Sequence, residues 1–167
     1  MLIAVTPAWM IAADATFHGK GVVLRNGVAI PNASAVVSGD LLETRADAVA
    51  SLDAMGSRVT ILPTSLVEFD GQSLTVEHGS VNVGTAHGIR VRVGCMAIVP
   101  AGSAWTQFEV TDVNGTIEIA AKKNDVRLET LADASAKSGS LKDVAESGAG
   151  RNLQEGEQTT RDESEGC

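Results

Sequence analysis

Between residues 16 and 130, short runs of Val, Ile, Leu and Thr alternate with Gly, Asn and Asp pairs about every 7 to 12 residues. Runs of that length, each followed by a turn signal, are strands; a helix needs a longer run with a 3.6-residue period. Gly21–Leu24 leads into Asn26-Gly27, and Val28–Ile30 follows. An Asn-Gly pair between apolar runs marks a tight hairpin, because both residues accept positive φ. Arg58–Leu62 alternates apolar and polar residues up to Pro63, and Ile89–Val93 is the cleanest period-2 segment. Leu74–Glu77 and Val81–Val83 read as two separate strands, closed by turns at His78-Gly79 and at Gly84.

The chain is therefore read as all-β. Sandwich, barrel and solenoid all fit the rhythm, and side-chain size chooses among them. Of 167 residues 44% are hydrophobic, enough for a core, yet three are Phe, two Trp and none Tyr. A core of Val, Ile, Ala and Leu suits β-branched residues stacked in register from one turn to the next. No strict repeat is present, so the expectation is a short, irregular β-solenoid or stacked β-roll with a flexible tail. Its open ends need cover. Leu2–Ala13 is a candidate cap at one end, and Trp105 or Phe108 at the other.

Five segments follow from composition. Residues 1–15 are an apolar N-terminal segment, read as a signal or anchor remnant or a cap; Ala13-Asp14-Ala15 has the small-x-small form of a signal-peptidase site. Residues 16–130 are the β domain. Residues 131–151, rich in Ala, Ser, Gly, Asp and Lys, read as a flexible linker or loop. Residues 152–160 read as a returning β element and 161–167 as an acidic tail. From 131 onward eight acidic and four basic residues supply four of the net eight negative charges. No stretch reaches the roughly 20 apolar residues that cross a bilayer. Membrane contact is expected only through segments outside this chain.

The order of the β pieces resembles the FecR domain. Gly21–Gly27 is followed by Gly39-Asp40-Leu41-Leu42-Glu43-Thr44, which resembles that family's Gly-Asp-x-x-x-Thr step. The apolar run Ala48–Leu52 and the Gly56-Ser57 turn into Arg58–Pro63 continue the pattern. Leu74–Val83 resembles the next step, Glu109–Asp112 with Asn114–Ile119 the closing hairpin, and Leu153–Gln158 the final Leu-x-x-Gly-Glu element. The resemblance spans roughly residues 16 to 160, and the variant looks like the FecR-domain proteins of envelope-rich soil bacteria such as acidobacteria. It implies a β-solenoid-like envelope protein. In founding members of the family the domain relays a signal from an outer-membrane transporter to a cytoplasmic sigma factor. This chain shows no cytoplasmic anti-sigma segment or βαβ docking subdomain, so fold and compartment are what the resemblance implies here.

Few residues offer chemistry. Gly39, Asp40 and Thr44 read as a structural turn motif, with Asp40 accepting backbone N–H groups rather than holding a cation. His18, His78 and His87 each precede Gly, as turn histidines do; a zinc site of His78 and His87 requires their turns to stack. Cys95 and Cys167 lack metal-site or redox spacing, and Cys95 reads as a small buried apolar residue. Glu68 and Asp70 lie two apart on one strand face and read as solvated charges. No nucleophile elbow or phosphate loop is present. No cofactor, no metal and no catalytic residue is assigned, and the chain is read as a non-enzyme. Net charge of −8 with few aromatics argues against nucleic acid.

Contact candidates are Trp105, Phe108, Arg90 and Arg92. The expected function is a protein-interaction and sensing module of the periplasm or cell envelope, in signal transduction, with another envelope protein as partner. The alternative is a polysaccharide- or peptidoglycan-binding module using Trp105; a sugar-active enzyme ranks below both.

Overall fold

The computed structural model describes residues 14–86, 88–131 and 150–163. The protein is all-β, with 66% of it in strands and no α-helix among the described residues. The strands are β1 (Ala15–Lys20), β2 (Val23–Arg25), β3 (Val28–Ala29), β4 (Ala33–Val36), β5 (Asp40–Thr44) and β6 (Val49–Ala54). Next come β7 (Ser57–Ile61), β8 (Leu66–Phe69), β9 (Ser73–Thr85), β10 (Arg90–Val93) and β11 (Met96–Pro100). The course ends with β12 (Thr106–Val113), β13 (Thr116–Lys123), β14 (Val126–Thr130), β15 (Arg151–Leu153) and β16 (Gln158–Asp162). The segments read as leader or cap (1–15), linker (131–151) and tail (161–167) lie mostly outside the described residues; where they reach in, Ala15 opens β1, Arg151 opens β15, and Arg161 and Asp162 extend β16.

These strands make one large mixed sheet that is not closed. Its front half runs β4-β1-β6-β7-β9-β12-β13-β16. Its back half runs β3-β2-β5-β8-β9-β10-β11-β14-β15. The chain passes between the halves as it advances. The ladders are antiparallel except β9 with β10, which is parallel.

Strand β9 joins the halves, pairing with β8 and β10 before residue 79 and with β7 and β12 from there on. The two strands expected over 74–77 and 81–83 are therefore one. The reason is Gly79. At φ +94 it redirects the strand without ending it, and Ser65 packs where a Cβ would stand.

Inward side chains of both halves meet in one buried cluster. The alternation that writes strands also writes this core: β5 buries every second residue, as do β10 and β12. Phe17, Phe69 and Phe108 are all fully buried, ringed by Val, Ile and Leu. Each such side chain contributes about 1.5–3 kcal/mol by leaving water. Phe108, 1% exposed, is thus a core residue, and its assignment as a partner contact is corrected.

A line of hydroxyls stitches the corner where the halves meet. Thr44 Oγ1 donates to Leu62 O (2.6 Å) and accepts from the Ser65 N–H (3.0 Å). Ser65 Oγ accepts from the Ser80 N–H (2.9 Å), and Ser80 Oγ bonds Thr111 Oγ1 (2.9 Å). Among the described residues no buried side-chain polar atom lacks a partner, as a stable interior requires.

Cys95 also departs from the sequence reading. It lies in the tight turn between β10 and β11, is half-buried, and is disulfide-bonded. A turn position brings its sulfur out of the core, within reach of another thiol. The sequence's other cysteine, Cys167, lies outside the described residues. No helix among the described residues is long and apolar enough to cross a membrane.

Candidate functional site

The outer surface of the front half carries the candidate site. The outward residues of its central strands form two rows. Asp53 and Arg58 lead to Gly84 and Gln107 in one, and Ser51, Thr60, Asn82 and Glu109 make the other. Strands β7, β9 and β12 are each paired on both sides. Their backbone groups are used up, and a ligand on this face meets side chains only. Within a row, neighbouring residues stand at the fixed strand spacing of about 4.8 Å.

Trp105 lies on this platform and is 41% exposed. Its six-membered ring covers Gly84: a Cβ there would stand 2.7 Å from Trp105 Cζ2. Glycine at this strand position is what lets the indole approach the backbone. The Asn124 side chain, from the turn after β13, donates to Trp105 O (2.9 Å) and ties down the loop that carries the ring.

Shallow depressions flank the indole. One, ≈ 280 Å³, is lined by Thr60, Asn82, Gln107 and Lys122. The other, ≈ 520 Å³, is lined by Thr16, Asp53 and Met55. Arg58 and Trp105 border both. The two cations that line these depressions are each paired with a carboxylate. Arg58 Nε donates to Asp53 Oδ1 (2.8 Å), and Lys122 Nζ lies 3.3 Å from Glu109 Oε2. What a ligand meets here is an aromatic surface, amides, hydroxyls and two ion pairs, with the Asp14 carboxylate at the larger depression.

Arg90 and Arg92 are exposed but lie on β10, in the back half, away from Trp105. Arg90 Nη2 is 3.5 Å from Glu129 Oε2. Arg92 faces Asp70. Burial works against the Asp70 carboxylate, but hydrogen bonds from Ser73 and Gln72 and the charge of Arg92 outweigh it and hold its pKa below the ordinary value. Asp70 is thus turned toward its own loop, while Glu68 is exposed on β8; the two do not converge.

Asp40 accepts from the Val37 N–H (3.0 Å) and from Asn26 Nδ2 (2.9 Å), and Gly39 N–H donates to Phe69 O (2.7 Å). With Thr44 in the corner line, all three residues of the turn motif serve the fold. His87 lies outside the described residues, so the His78–His87 zinc reading does too. Among the described residues no group of three or more His, Cys, Asp or Glu side chains could hold a metal.

A second titratable cluster escaped the sequence reading. Asp112, near the end of β12, is 4% exposed. Burial raises its pKa, and the charge and hydrogen bond of Glu163 raise it further, to about 6. Glu77 adds to the rise and His78 opposes it. The Glu163 N–H is bound to Gly115 O (2.9 Å), which fixes the end of β16 beside Asp112. Arg58, Asn82, Gln107 and Lys122 were also missed; only strand pairing places them together. Gly84 inside a strand was the one local signal of a close approach.

Comparison with family models, with curated proteins and with solved structures finds no match for this chain.

Proposed function

We propose that this chain is a non-catalytic recognition and sensing module of the bacterial cell envelope, built as a FecR-like β-roll. It meets another envelope component with the outer surface of its front half. The observation that carries this reading is Trp105: an indole 41% exposed, seated on Gly84 at the centre of a fully paired sheet surface. Leaving that much aromatic surface in water has a cost, and clustering it with ordered polar groups is how binding sites are made.

Three further observations support the proposal. The FecR-like order of motifs is in keeping with a chain that alternates between two halves of one sheet. The hydroxyl line from Thr44 to Thr111 ties successive passes together at one corner, as stacked turns require. The disulfide at Cys95 suits an oxidising compartment such as the periplasm.

The test is capture from bacterial envelope, with residues 14–163 in the full chain as bait and Trp105→Ala as the comparison. The expected result is a reproducible bound component that the Trp105→Ala bait loses. Equal capture by both baits, with both still folded, overturns the reading.

A further inference from the structure

We propose that the component recognised at Trp105 is an uncharged glycan chain. This rests on the recognition reading above and adds the class of ligand. Four observations select it. First, the platform lies on strands paired on both sides, so a peptide has no free backbone edge to extend here. Second, both cations that line the depressions are already matched by carboxylates of the same surface, Arg58 by Asp53 and Lys122 by Glu109. A phosphate or an acidic peptide would have to compete with them. Third, the remaining groups, Thr60, Asn82 and Gln107, hydrogen-bond in both directions, which is what hydroxyl groups need. Fourth, the apolar element is a single flat indole rather than a greasy groove. A pyranose ring offers a matching flat C–H surface.

The depressions of ≈ 280 and ≈ 520 Å³ on the two sides of Trp105 make room for neighbouring units of a chain rather than one sugar. The central unit stacks on the indole. Its neighbours meet Asn82 and Gln107 on one side and Thr16 and Asp53 on the other.

The experiment uses the full chain on an array of neutral hexose and N-acetylhexosamine oligomers, followed by calorimetry with the strongest hit. A Trp9→Phe background makes tryptophan fluorescence report Trp105 alone. The expected result is binding to oligomers of several units, a blue shift of Trp105 emission, and affinity at least tenfold weaker in Trp105→Ala and in Gln107→Ala. Trp105→Phe keeps a flat ring and is expected to retain part of the affinity. Thermal unfolding of each variant shows that it is folded. Absence of binding to every neutral oligomer at millimolar concentration overturns the glycan assignment, as does binding unchanged in Trp105→Ala. Trp105-dependent capture of a protein from envelope without glycan binding would overturn this inference and leave the recognition reading standing. Loss of Trp105 dependence in both experiments would overturn both.

Discussion

Gly84 and Trp105 define each other. The indole lies where any side chain at 84 would begin. Gly84→Val is therefore expected to lift the ring, at a cost of about 1–3 kcal/mol from overpacking. Denaturant unfolding and a red-shifted Trp105 emission check this; unchanged emission would mean the ring does not rest on the backbone. Asp112 makes a second residue-scale prediction. Its pKa rises from 3.8 to about 6 in the folded chain. A raised carboxyl favours folding while protonated, so its contribution is full below the unfolded value and is lost as pH climbs through about 6. The protein is expected to resist urea better at pH 5 than at pH 7.5, with the difference reduced in Asp112→Asn. A flat profile in the wild type would contradict the burial and pairing of this group. Phe108 shows what a sequence holds at this scale. Thr106, Phe108 and Val110 share one parity of β12 and point inward, while Gln107 points outward. Strict alternation carried through the strand places Phe108 inside; proximity to Trp105 in sequence was the misleading cue.

Among the elements, β9 was the hardest to read. His78-Gly79 looks like a turn because glycine at positive φ usually ends a strand, and only the pairing of both its ends with different neighbours reveals continuity. Where the turn is closed locally the sequence suffices. Asn26 and Gly27 stand at φ 52 and 80 between β2 and β3, the conformation an Asn-Gly hairpin needs. The corner line yields the third prediction. Ser65→Ala removes the acceptor of the Ser80 N–H and leaves Ser65's share of the corner unmade. The expected loss is about 1 kcal/mol, since a part-buried donor left without a partner bears only part of its desolvation cost. A shift in urea midpoint smaller than the scatter between preparations would show that the corner tolerates the loss.

For the whole molecule, the all-β class was legible because short apolar runs with turn signals leave no room for helices. The partition into two halves sharing β9 was not, because strand neighbours distant in sequence are chosen by packing. The candidate site was half legible: Trp105 stood out, but Arg58, Asn82 and Gln107 come from three different strands and look like ordinary outward residues one at a time. Cys95 gives the fourth prediction. Protein recovered from an oxidising compartment is expected to show no reactive thiol at Cys95 until reduced, and to lose about 2–4 kcal/mol of stability on reduction, typical of a disulfide. A Cys95 thiol that titrates in the native, unreduced protein would contradict this and weaken the envelope assignment.

The claim that the front-half platform is the binding surface is tested most directly by placing a photo-reactive side chain on it. With the cross-linker at Gln107 on the platform, and at Arg92 on the back half as control, exposure to envelope material is predicted to give adducts from 107 and none from 92. Adducts from 92 alone, or none from 107 in a folded protein, would contradict the account.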